Sequence, residues 1–291
     1  MRVSVVILPD ARWSQARAKW LDAQRRGFST AWTYDHLSWR SLRDGSWLGT
    51  VPLFGAVAEL TTTLRFGTLV TSPNFRHPAV LAKDAMTLDD LSDGRFDLGI
   101  GAGGTGFDAA VLGADPLEPA QRAARFEEFV VALDHLLREP AASHTGDYFT
   151  VHDSRTYPGC VQRPRVPFTI AAAGPKALRV AARYGQRWVT FGPVVANSGP
   201  EDWYRVVAEQ SSRLDAECEL IGRDPGTIRR LVLVGLELDW PQSSVGAWDE
   251  FSGRVARMGF TDVGIHWPRP EDPALPGPPV SVFDEISSRL T

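Results

Sequence analysis

Two apolar runs, Phe66 to Val70 and Phe96 to Ile100, lack the strict in–out alternation of a strand with one wet face. They read as strands buried on both sides, as parallel strands are. Between them, residues 78–91 place apolar positions at the helical period, with Pro78 in the first turn and Gly94 just past the end. Strand, helix and strand in that order make one βαβ unit. The same alternation runs the length of the chain. Strands are predicted over 3–8, 30–34, 65–70, 95–100, 167–171, 187–191, 231–236 and 262–266. Helices are predicted over 14–26, 51–60, 78–91, 119–138, 176–184, 201–221, 243–258 and 282–290. Strict alternation demands a parallel sheet, and eight repeats in 291 residues favour a closed (β/α)8 TIM barrel over a doubly wound sheet.

Three intervals break the rhythm. Residues 139–165 are rich in Pro, Gly and polar residues, too long for a plain connection, and are expected to be functional or to hold small elements of their own. A Pro-dense stretch follows the last strand at 268–279, and residues 37–49 carry Trp39, Arg40, Arg43 and Trp47. All three are expected at the barrel mouth. No composition break marks a linker, so residues 1–291 are expected to form one domain.

Composition narrows the function. Hydrophobic residues make up 43% of the chain, enough for a sizeable core, and the net charge of −4 comes without a basic stripe. Nucleic acid is therefore not an expected partner. The N-terminal run is too short for a membrane span or a signal peptide. Two cysteines, Cys160 and Cys218, without secretory context suggest a reducing cytoplasm. No CxxC or HExxH spacing points to a metal.

Candidate chemistry gathers at the ends of the predicted strands. GIGAGG, Gly99 to Gly104, contains G-x-G-x-x-G, but a loop rather than a helix follows and the motif sits on the fourth strand. The dinucleotide fingerprint needs the opposite context. What stays open is a tight turn or a close backbone approach to a flat ring or phosphate. AAAGPKA, Ala171 to Ala177, is either an ordinary strand-to-helix turn or an anion site built from free helix amides and Lys176. Asp35 and His36 end the second strand, where a histidine can pass protons. His266 ends the last strand and would face the same mouth. Ten tryptophans are mostly core or lid material, yet Trp39 and Trp47 in a mouth loop could cover a ligand ring.

Three blocks carry a family resemblance: TYDHLSW, then GTLVTSPNFRHPAVLAKDAMTLDDLSDGRFDLGIGAGG, then RPRVPFTIAAAGPKALRVAARYGQRW. In this order and spacing they resemble the bacterial luciferase-like flavin-dependent oxidoreductase superfamily over nearly the whole chain, closest to the branch that uses the deazaflavin coenzyme F420. The resemblance implies a TIM barrel with an insertion after the fourth strand, a lid over about 140–165, and a flavin or deazaflavin across the mouth. It implies His36 as acid or base, oriented by Asp35, with Trp39 as a pocket aromatic. A non-proline cis peptide is implied at Leu69–Val70, behind the ring. Cofactor contacts would fall to Thr71, Ala102, Gly103, Ala173, Gly174, Pro175 and Lys176. Trp39, Phe75, Phe107, Phe191 and His266 would line a substrate pocket suited to a flat or apolar molecule.

Two departures stand out. Gly104 occupies the place of a catalytic Glu found in sugar-phosphate dehydrogenases of this branch, which argues against sugar-phosphate oxidation. Gln186–Arg187 replaces an expected acid before the aromatic of the sixth strand. The implied activity is F420-dependent hydride transfer on a small organic substrate. The alternatives are an FMN-dependent monooxygenase served by a separate flavin reductase, and a non-catalytic ligand-binding barrel. The resemblance implies a homodimer paired through helices near the second and third strands, which the small and apolar face of the helix at 51–60 suits.

Overall fold

A computed structural model describes residues 1–193, 199–235, 238–272, 275 and 277–290. Eight parallel strands close a barrel: β1 (Arg2–Val6), β2 (Thr30–Thr33), β3 (Arg65–Thr68), β4 (Phe96–Ile100), β7 (Phe168–Ala171), β8 (Arg187–Thr190), β9 (Arg229–Leu233) and β10 (Asp262–His266). β1 pairs with β10, Arg2 opposite Asp262 through Val6 opposite His266, and that pairing closes the ring. Helices α1 (Trp13–Arg25), α2 (Thr50–Leu60), α3 (Pro78–Leu91), α4 (Pro119–Arg138), α5 (Pro175–Tyr184), α6 (Pro200–Leu220), α7 (Val245–Arg257) and α8 (Val280–Ser288) follow the strands in turn. The predicted TIM barrel is thus the observed one. β1, β2, β3 and β8 end one or two residues earlier than predicted, because the last apolar residues of those runs already turn into mouth loops, while β4, β7 and β10 end at the predicted residues. The end predicted at Leu236 and parts of the 268–279 stretch lie outside the described residues.

Strand parity divides the core, since successive side chains point to opposite faces. Val5, Ile7, Ala31, Phe66 and Leu98 pack outward under the helices. Val6, Trp32, Leu69, Val189, Leu231 and Leu233 fill the interior. Local signals hold the helices in place. Pro78 opens α3, the His77 side chain accepts the amide of Ala79, and Gly94 (φ 79°) follows the helix end.

The base of the barrel explains the Gln186–Arg187 departure. Arg65 grips Asp97 with two bonds (3.1 and 2.9 Å), and Arg229 grips Asp262. Arg187 is buried between the two acids, 3.7 Å from Asp97 and 4.0 Å from Asp262, under the Trp32 ring at 5.2 Å. Gln186 accepts from the amide of Phe168 (2.8 Å) and from Arg165 (3.0 Å). Both residues therefore stabilise the end of the barrel opposite the mouth.

The long interval follows α4, as the predicted helix over 119–138 requires, and holds an antiparallel hairpin, β5 (Ala141–Thr145) and β6 (Thr150–Arg155). The hairpin is anchored on α4. Glu128 of α4 accepts the amides of Asp147 (2.9 Å), Tyr148 (3.1 Å) and Phe149 (2.7 Å), and Phe149 meets His77 at 5.7 Å. Beyond it, Gln162 donates to Asp89 and to the carbonyl of Phe96 at the start of β4. Through these contacts the segment braces α4, α3 and the start of β4.

Candidate active site

The carboxyl ends of β2, β3 and β4 set the site. Asp35, two residues past β2, is 2% exposed. Thr71 donates to its Oδ2 at 2.6 Å, and Arg76 grips both oxygens at 3.0 and 2.7 Å. Burial works against the Arg76 charge, but the Asp35 carboxylate outweighs it and raises the guanidinium pKa. A bidentate pair of this kind is strong and geometrically specific. It corrects two expectations. Both oxygens of Asp35 are committed, so Asp35 does not orient His36. Thr71 is fully buried with its hydroxyl spent on Asp35, so it supports that carboxylate instead of offering surface to a cofactor.

His36 has a different partner. Its Nδ1 bonds Oδ2 of Asp108, a residue in the short helical turn Phe107–Ala109 after β4. Oδ1 of Asp108 accepts the amides of Leu37 and Ser38, each at 2.9 Å. The histidine side chain is 31% exposed and the aspartate 5%. Nε2 of His36 has no hydrogen-bond partner among the described residues. Around the ring stand Trp39 (6.2 Å, stacked) and Trp47 (6.4 Å), themselves stacked at 5.7 Å, and the Trp47 indole donates to the His36 carbonyl at 2.9 Å. The mouth loops after β2 and β4 meet again where Arg43 sits over the exposed Phe107 ring at 4.2 Å.

Beside His36 the wall is almost bare of side chains. The Leu69–Val70 peptide is cis, as the resemblance implies. A Cβ at Gly101 would lie 2.6 Å from Val70 Cγ2, and Gly103 adopts φ 75° with Asn74 packed where its Cβ would be. Ala102 is half-buried there, while Ala173, Gly174, Pro175 and Lys176 are exposed at the start of α5. Gly174, the N-cap of α5, makes no side-chain cap bond, so the first-turn amides face no competing side chain. This shelf of small residues fits a flat ring with a phosphate-bearing tail.

The remaining predicted pocket residues divide. Trp39 is buried in the aromatic wall, Phe75 is half-buried beside Arg76, and Phe107 and Phe191 are 43% and 51% exposed on the rim. His266 is corrected. It is 2% exposed, its Nδ1 donates to the Val234 carbonyl (2.9 Å), and its Nε2 accepts from the Tyr34 hydroxyl (2.7 Å). Burial pushes its pKa down to about 4, so the ring is neutral and both nitrogens are used. His266 supports the floor through Tyr34 and does not line the pocket. Sequence reasoning missed Arg76, Asp108 and Tyr34 as site residues. Asp108 had one signal, an acid in the loop four residues beyond Gly104.

Comparison with known proteins gives the family. Residues 1–240 match the model of the luciferase-like monooxygenase family, and the chain belongs to that family. It is similar to a 4-hydroxyprotoasukamycin monooxygenase of Streptomyces nodosus subsp. asukaensis, 33% identical over 60% of this chain and 46% of that protein. It is also similar to an F420-dependent glucose-6-phosphate dehydrogenase of Kineococcus radiotolerans, 31% identical over 75% of this chain and 62% of that protein. The matches thus span about half to three-fifths of those relatives. The fold resembles the coenzyme F420-dependent tetrahydromethanopterin reductase of Methanopyrus kandleri, with a TM-score of 0.70, 16% identity and coverage of 92% and 93% of the two chains.

Proposed function

We propose that this chain is an oxidoreductase that binds coenzyme F420 across the barrel mouth and transfers a hydride to or from a small organic substrate. The observation that carries this reading is the partly exposed His36 imidazole, whose Nε2 has no hydrogen-bond partner among the described residues, packed against Trp39 and Trp47 and held by Asp108 of the loop that begins with the small residues Gly101 to Gly104. When bound, the deazaflavin supplies a carbon centre that gives or takes a hydride. The chain does the rest. Ala102, Gly103, Ala173 and Gly174 give the ring a flat seat behind Leu69–Val70, and the α5 amides with Lys176 hold an anionic tail. Trp39 and Trp47 exclude water from one side and favour a flat or apolar substrate. His36 Nε2 takes the hydroxyl proton as a hydride leaves the adjacent carbon, or returns it in the reverse direction. Gly104 supplies no carboxylate, so sugar-phosphate oxidation is not part of the proposal.

The monooxygenase relative favours a second reading, FMN-dependent oxygenation with a separate flavin reductase. A side-by-side titration of the protein with F420 and FMN, followed by fluorescence, separates the two. Micromolar or tighter binding of F420 alone supports hydride transfer, and selective FMN binding overturns it. His36→Ala is expected to lower turnover by on the order of a hundredfold or more while cofactor affinity holds. Wild-type turnover in that variant would remove His36 from the chemistry. We place the protein in the reducing cytoplasm, where its buried thiols Cys160 and Cys218 stay unpaired. We also take it to pair with a second copy through α2.

A further inference from the structure

We infer that Asp108 is the positioning residue of His36, fixing both the plane of the imidazole and the tautomer that leaves Nε2 free for the proton. The inference rests on the proposed role of His36 and adds the residue through which that role is controlled.

Asp108 is 4% exposed, although its loop neighbours Phe107, Val111 and Leu112 are 43%, 51% and 66% exposed. A buried carboxylate is costly unless hydrogen bonds replace its water. Here three do, and all come from the segment His36 to Ser38. Among the described residues, no Lys or Arg lies within ion-pair distance of Asp108, and the side chain it faces is the His36 imidazole. The loop after β4 is thereby folded onto the loop after β2 at the reactive histidine. Asp35 cannot take this role, since Arg76 and Thr71 occupy it.

The atoms decide the tautomer. The amides of Leu37 and Ser38 can only donate, and both point at Oδ1. That leaves Oδ2 for the ring, and an ionised carboxylate only accepts. Nδ1 therefore carries the hydrogen in the neutral ring, and Nε2 holds the exchangeable lone pair. Trp39 stacked on the ring and the Trp47 bond to the His36 carbonyl restrain its rotation.

Asp108→Asn tests this at the atom concerned. The amide oxygen stays on the two backbone donors, so its NH2 group faces Nδ1 and reverses that bond. Nitrogen-15 NMR of histidine-labelled protein should show Nδ1 protonated in the wild type, and the Nδ1 and Nε2 signals exchanged in the variant. With reduced F420 and an accepted substrate, kcat should fall on the order of a hundredfold or more, with KM and cofactor affinity within about twofold. Asp108→Glu, which keeps an acceptor-only carboxylate, should recover at least about tenfold of that loss. A wild-type ring protonated on Nε2 overturns the inference even if the Asn variant does not fold. Unchanged signals in a folded Asn variant also overturn it. Failure to bind F420 would sink the functional reading instead, and the NMR result would still decide the role of Asp108.

Discussion

At the residue scale, identity matters less than partner. Asp35 and Asp108 are both buried acids near His36, but one is neutralised by Arg76 and the other faces the imidazole. Adjacent positions in sequence suggested the wrong pair. The backbone turn after β2 sends Asp35 toward β3 and His36 toward the loop after β4. The buried His266 has its own consequence. Its pKa falls from 6.5 to about 4 on folding, chiefly because burial disfavours the charged ring. The unfolded chain binds a proton below about 6.5, and the folded chain does not until about 4. The stability contributed by the neutral ring is therefore complete above pH 6.5 and is lost as the pH falls toward 4, by about 3 kcal/mol in all. Urea unfolding between pH 7 and 4 should show His266→Gln losing less stability than wild type across that window. Parallel curves would mean that His266 titrates alike in both states.

At the element scale, the β5–β6 hairpin was legible as an irregular interval but not as a hairpin or by location. Its strands are mostly polar outside Ala142 and Val151, so they carry little periodic signal. Their anchor is Glu128, a single side chain on α4 that satisfies three hairpin amides. Glu128→Ala would leave those donors without their acceptor, at a cost of roughly 1–3 kcal/mol. Hydrogen exchange at residues 146–149 should then rise, while turnover stays within about twofold. A large loss of turnover would mean that the hairpin acts on the mouth as a lid. The βαβ units, in contrast, were readable because helix caps and apolar runs are local. Pro78, Gly94 and the Glu118–Gln121 capping box mark ends that neighbours in space do not alter.

For the molecule as a whole, the two ends of the barrel are built for different tasks. The base is a closed ion-pair layer of Arg65, Asp97, Arg187, Arg229 and Asp262, and the mouth is a shelf of small residues with one half-exposed histidine. That division follows the general rule for parallel barrels, in which strand starts stabilise and strand ends react. The α2 helix offers a candidate pairing face. On α2, Val51, Gly55 and Ala56 are only half-buried, and such small residues permit close approach. Sedimentation equilibrium should give twice the chain mass of 32.0 kDa. A 32.0 kDa species at micromolar concentration would rule out the pairing.

The sequence by itself determined the alternation of strands and helices, the closed parallel barrel, the glycine-rich shelf after β4 and the presence of a histidine at the end of β2. These follow from periodicity, caps and chain order, which act over a few residues. Only the tertiary structure decided that Arg76 takes Asp35, that Asp108 takes His36, that His266 lies under Tyr34, and that the 139–165 interval folds as a hairpin on Glu128 of α4. The first three join residues 41, 72 and 232 positions apart. At such separations the partner of a buried charge or ring is set by how the barrel closes.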